Sequence, residues 1–186
     1  FGSIAAGQVD AEPVIPAPAE PSQWRAWRES LAQAREQTRR RLEYDDGLYR
    51  RDDFDWVPSC YNCCFVMMYD RSFYDPAAGR YKVDEFLRAG GTDFGGYDAI
   101  VLWHAYPRIG FDDRNQFDFY RDMPGGLDGL RELSRDMHRR GVRVFIDYNP
   151  WDTATRRENR SDVDALADLV GAIEADGIFL DTLHEG

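Results

Sequence analysis

Apolar positions recur along the chain in two rhythms. Four short runs, Phe65 to Tyr69 (FVMMY), Ala99 to Trp103 (AIVLW), Val142 to Ile146 (VRVFI) and Gly177 to Leu180 (GIFL), have the length and the branched or aromatic content of buried strands. Between them the spacing becomes helical. Val83, Phe86 and Leu87 form one such face, ended by Gly90-Gly91. Leu127, Leu130, Leu133 and Met137 form a second, opened by Pro124-Gly125-Gly126 and stopped by Gly141. Val163, Leu166, Leu169, Val170 and Ile173 form a third, started by Ser161 with Asp164 three residues on as a capping box. An earlier helix begins at Ser22, a plausible N-cap, with Trp24, Trp27, Leu31 and Leu42 on one side. Eight arginines between Arg25 and Arg51 fill its other faces and read as a solvated stripe, while the tryptophans predict that the helix covers the main domain.

Strands alternating with helices build parallel sheet, because each crossover needs a dozen or more residues. The strand starts at 65, 99, 142 and 177 are spaced by 34, 43 and 35 residues. The pattern therefore predicts an α/β fold: the first four strand-helix units of a (β/α)8 TIM barrel over residues 56–186. An N-terminal helix and connection at 22–55 precede it, behind a flexible Pro-rich segment at 1–21 that includes PVIPAPAEP. A small flavodoxin-like parallel sheet is the alternative. The fourth strand is followed by six residues and no covering helix, so the pattern reads as a cut barrel. Half a barrel has two open sheet edges and is expected to aggregate or dimerise; the oligomeric state itself is not legible.

Charge narrows the list of partners. Across 186 residues, 34 acidic groups outnumber 23 basic ones and give a net charge of −11, which repels phosphate backbones and anionic lipid. Nucleic acid and membrane are thus not expected as partners, and no apolar window of about 18 residues exists to span a bilayer. Among the basic residues only Lys82 is lysine, a bias that packing does not require. Cys60, Cys63 and Cys64 lie too close together for a disulfide framework, and the CxxC lacks a second ligand pair, so they read as small apolar fillers and no metal is expected. Asp113, Asn115 and Asp118 offer oxygens of the kind calcium takes, but the EF-hand Gly and Glu are missing. The blander reading has Arg114 and Asp118 bracing a long loop. The sequence opens on Phe1, as a processed chain or a fragment would. Val9-Asp10-Ala11 suits a signal-peptidase site without the preceding charged and apolar regions, so export stays open.

In parallel α/β folds ligands bind beyond the carboxyl ends of the strands. The four tips here carry Asp70; His104, Tyr106 and Arg108; Asp147 and Trp151; and Asp181, His184 and Glu185. Any one Asp could be a helix N-cap, but three at one rim would shift each other's pKa values apart. That supplies one ionised group and one that holds a proton. Carboxylates beside flat aromatic faces suit a neutral, hydroxyl-rich ligand, meaning a carbohydrate, with no cofactor. A flavin or nucleotide would need a Gly-rich turn after the first strand, and Tyr69-Asp70-Arg71-Ser72-Phe73 offers none.

The segment GVRVFIDYNPW, residues 141–151, resembles the third-strand region of alpha-amylase-type barrels, and GIFLDTLHE, residues 177–185, resembles their fourth strand. Alpha-galactosidase-type barrels are similar at the same strand, although Phe179 stands where they carry Lys. YPRIGFDDRNQFDFYRDMPGGLDGL at 106–130 and FYDPAAGRY at 73–81 resemble an uncharacterised group of bacterial barrel proteins, over about residues 56–186. The resemblance implies a retaining glycoside hydrolase-like protein with Asp181 as nucleophile. It places the proton donor on a later strand, beyond Gly186, with Glu185 an in-chain alternative, and so predicts that this chain is inactive alone. His104, Asp147 and Asp70 would contact sugar hydroxyls, Trp151 or Tyr106 would stack on the ring, and Arg108 would hold a hydroxyl or carboxylate. A non-catalytic carbohydrate-binding or scaffold barrel is the alternative function.

Overall fold

The computed structural model of the chain describes residues 14–104, 111–150, 156 and 158–182. Two compact units divide it, Phe1–Trp56 and Val57–Glu185. The first holds helix α1 (Trp24–Arg41), none of whose residues is buried. Arg25 and Glu29, and Arg40 and Glu36, pair one turn apart on its surface, contacts worth a few tenths of a kcal/mol each. Its Leu31 and Leu42 line a shallow groove with Ile15 and Tyr44 of the same unit.

The second unit is a mixed α/β fold on a four-stranded parallel sheet. Strand β1 (Cys63–Met67) leads through a two-stranded antiparallel hairpin, β2 (Tyr74–Asp75) and β3 (Arg80–Tyr81), into α2 (Val83–Phe94) and β4 (Ala99–Trp103). Helices α3 (Gln116–Arg121) and α4 (Gly126–Arg139), strand β5 (Arg143–Tyr148), α5 (Asp162–Ile173) and β6 (Gly177–Leu180) follow. The sheet order β1-β4-β5-β6 is the chain order, with no reversal. Right-handed crossovers between successive parallel strands put every helix on the same face. Accordingly Val66, Ile100, Leu102, Val144 and Ile146 pack with Val83 of α2, Leu130, Leu133 and Met137 of α4, and Leu166, Leu169 and Ile173 of α5 in one core.

The register assigns the other face. Phe65 pairs with Val101, Val101 with Phe145 and Phe145 with Gly177, while Met67 pairs with Trp103 and Asp147 with Phe179. Partners in a parallel ladder point the same way. This second face is largely apolar, yet Phe65 is 48% and Met67 47% exposed. The rings of Phe65 and Phe179, from the two edge strands, meet edge-on at 4.6 Å across both central strands. Gly177 fits this crowding, since a Cβ there would stand 3.0 Å from the Phe145 ring.

Helix α2 does not stop at Gly90-Gly91. It runs on to Phe94 and ends at Gly95, whose φ of 81° closes it. Gly90 lies inside the helix because the Tyr97 ring rests on it, where a Cβ would come within 2.2 Å. Val163, expected on the core face of α5, is 75% exposed in the first turn. The amino ends of the strands are closed by paired carboxylates. Asp98 accepts the Tyr61 and Asn62 amides at 2.8 Å each, and these hold it below the usual carboxylate range. Asp176 accepts the Val144 amide at 2.8 Å, Arg143 at 2.7 Å and His138 at 2.7 Å. Burial works to raise the Asp176 carboxyl, but these three donors outweigh it and lower it.

Candidate functional site

At the carboxyl ends of β4, β5 and β6 the polar groups are held by helix α3, which the spacing of apolar residues does not predict. Five of its six residues, Gln116 to Tyr120, are buried, so it has no solvent face to mark it as amphipathic. Asn115 builds its start as a capping box, accepting from the Phe117 and Asp118 amides while Asp118 accepts from the Asn115 amide. The expected Arg114–Asp118 brace is replaced by two others. Arg114 pairs with Asp112 and Asp122, and Asp118 pairs with Arg121. The Asp113, Asn115 and Asp118 oxygens are thereby spent on capping and pairing or left at the surface, and among the described residues no three His, Cys, Asp or Glu gather closely enough to hold a metal.

From α3 two side chains reach the strand tips. The Tyr120 hydroxyl donates to the Leu102 carbonyl at 2.7 Å and accepts the Asp147 amide at 2.8 Å, tying β4 to β5. Gln116 grips the Asn149 backbone from both sides, its Nε2 donating to the carbonyl at 2.6 Å and its Oε1 accepting the amide at 2.9 Å. The β5 tip is thus fixed to within the slack of three short hydrogen bonds.

Asp181 continues the β6 ladder, its amide donating to the Tyr148 carbonyl at 2.9 Å. That register sets Asn149 beside it, and the Asn149 Nδ2 donates to Asp181 Oδ2 at 2.9 Å. The Thr182 hydroxyl donates to the Asn149 Oδ1, which orients the amide. Thr182 holds this position with a φ of +48°, a conformation that a β-branched residue adopts only under constraint.

Asp147 lies one pleat back along β5 and is 1% exposed. Neither of its carboxyl oxygens has a hydrogen-bond partner among the described residues. Burial, reinforced by the charge of Asp181, pushes its pKa up to about 6. His104 Nε2 stands 3.9 Å from Asp147 Oδ2, too far for a hydrogen bond. Burial pulls His104 down to about 4, so at no pH are an imidazolium and an Asp147 carboxylate both the prevailing forms. The contact is close packing and not an ion pair. Phe119 and Tyr120 enclose the imidazole, with ring centroids 5.2 and 5.5 Å away.

Of the expected site residues, His104, Asp147 and Asp181 come together. Asp70 is engaged elsewhere, its carboxylate accepting the Ser72 amide at 2.6 Å in its own exposed turn, with Ser72 and then Lys82 lowering its pKa. Tyr106, Arg108, Trp151, His184 and Glu185 lie outside the described residues. Asn149, Thr182, Gln116 and Tyr120 also belong to this cluster, and the pattern of charged strand tips does not mark them. For Asn149 a signal existed, since two residues after Asp147 on a strand means the same face. The arrangement offers one carboxyl group held in place by a side-chain amide beside a second able to carry a proton near pH 6, both on rigid backbone. No protein-family model matches the chain, and no curated protein matches it significantly.

Proposed function

We propose that the second unit is part of a (β/α)8 barrel of glycoside hydrolase type, acting on a carbohydrate by a retaining mechanism with Asp181 as nucleophile. Three features support the barrel over a flavodoxin-like sheet. The strand order follows the chain without the reversal that a doubly wound sheet needs, the helices share one face, and side chains from the two edge strands meet over the other face, as inside a curved sheet. The observation that carries the activity is the placement of Asp181, oriented by Asn149 next to a second, raised carboxyl on the same rim. Asp181 would attack the anomeric carbon and form a glycosyl ester, which water then hydrolyses. His104 and Asp147, buried behind the same strand tips, would line the sugar site from beneath.

The test is labelling of the protein by an activated 2-fluoro sugar, followed by peptide mass spectrometry. A single adduct on Asp181, and its loss in Asp181→Asn, is the expected outcome. Sugar binding by calorimetry without any adduct would instead support a non-catalytic carbohydrate-binding barrel, and an adduct on another residue would remove Asp181 from the role.

A further inference from the structure

We propose that Asp147 is the catalytic proton donor of this site, so that the two carboxyl groups of the reaction stand on the neighbouring tips of β5 and β6. This assignment rests on the glycoside hydrolase reading and changes one part of it, since the resemblance places the donor on a later strand.

Asymmetry between the two carboxyl groups carries the argument. Asp181 has a partner, accepting a hydrogen bond from the Asn149 Nδ2 at 2.9 Å. Asp147 is sealed from solvent, and both its oxygens lack a partner among the described residues. Trp103, on the same face of the adjacent strand, has its indole N–H buried and likewise without a partner among the described residues. Buried polar groups are almost always satisfied, so this pair is matched to an arriving hydroxyl or glycosidic oxygen. The groups packed around Asp147 do not stabilise a charge on it. Asp181 from β6 is acidic, His104 from β4 is neutral above about pH 4, and Tyr120 and Gln116 from α3 spend their polar atoms on backbone. Strand spacing puts the two Asp Cα atoms roughly 8 Å apart, from which the carboxyl groups can approach the retaining separation.

In the first step an Asp181 oxygen bonds to the anomeric carbon as the carbon–oxygen bond to the leaving group breaks, and Asp147 passes its proton to the departing oxygen. In the second, water attacks the anomeric carbon, gives a proton to the Asp147 carboxylate and releases Asp181 as a carboxylate. Sugar, alcohol and the protonated Asp147 are regenerated, and the net change is one water consumed.

The experiment compares phenyl glycosides with 2,4-dinitrophenyl glycosides, whose leaving group needs no proton. Asp147→Asn is expected to lose about 10²- to 10⁴-fold in kcat/KM on phenyl glycosides, and far less on dinitrophenyl glycosides, where azide should speed turnover by intercepting the glycosyl ester. Equal losses on both substrates, or none on either, would overturn the assignment while leaving Asp181 labelling intact. Absence of labelling would instead sink the hydrolase reading. A readout free of turnover is the carboxyl ¹³C titration of Asp147 in the wild-type protein. It is expected near pH 6, shifting down in Asp181→Asn, and a midpoint in the ordinary carboxylate range would overturn the assignment.

Discussion

The two ends of the parallel sheet treat their carboxylates in opposite ways. At the amino ends, Asp98 and Asp176 are each held by backbone amides, and Asp176 also by Arg143 and His138, so both are lowered. At the carboxyl ends Asp147 is more deeply buried, has no such donors among the described residues and is raised. The same side chain in the same sheet is therefore a fastener at one end and a stored cost at the other. Thr182, which donates to Asn149 at the same end of the sheet, adds a φ of +48° that a β-branched residue adopts only under constraint.

The contrast is sharpest in stability. Asp176→Ala strands the Val144 amide, Arg143 and His138, and is expected to cost roughly 3 kcal/mol in chemical denaturation at pH 7. Because the folded pKa of Asp176 is depressed, its contribution is present above the unfolded value and is lost as pH falls through the folded one. A loss below about 1 kcal/mol would erase the distinction between the two ends.

Asp147→Asn should behave in the opposite sense. Its folded pKa is raised, so the folded state binds the proton more tightly, and stability falls as pH rises from the ordinary carboxylate value to about 6. Above that pH the variant is expected to be the more stable by on the order of 2 kcal/mol, and below pH 4 to match the wild type, as read by melting temperature across pH. His104 titrates against it. Its pKa is depressed, so the folded protein loses stability as pH falls from 6.5 to about 4, in wild type and variant alike, and cancels in the comparison.

The smallest effect belongs to the tie between α3 and the tips. Tyr120→Phe removes the bridge between the Leu102 carbonyl and the Asp147 amide and is expected to cost about 1 kcal/mol. If Tyr120 positions the β5 tip, the variant also lowers kcat on phenyl glycosides more than it raises KM. A stability loss with unchanged kinetics would mean that α3 braces the fold and not the site.

Much of the fold is legible in the sequence alone. The four strands were set by runs of β-branched and aromatic residues, and α4 and α5 by apolar spacing between glycine and serine signals, because burial on one face leaves a periodic trace. Helix α3 left none, since Gln116, Asp118 and Tyr120 are buried as polar residues by the very hydrogen bonds that define their role. The hairpin β2–β3 is too short to show alternation. Gly90 misled for a related reason: a glycine beneath an aromatic ring and a glycine at a helix end look alike in one dimension.

The site divides along the same line. That Asp147 and Asp181 would share a rim followed from sequence alone, because each directly follows an apolar run and parallel strands present their carboxyl ends together. That Asp70 would turn into its own loop, that Asn149 would hold Asp181, and that Asp147 would stand without a donor among the described residues were decided only by tertiary structure. Periodicity records which face a residue occupies. The charge state of a carboxyl group depends on which donors lie within about 3 Å of it, and those come from α3 and from neighbouring strands distant in the chain.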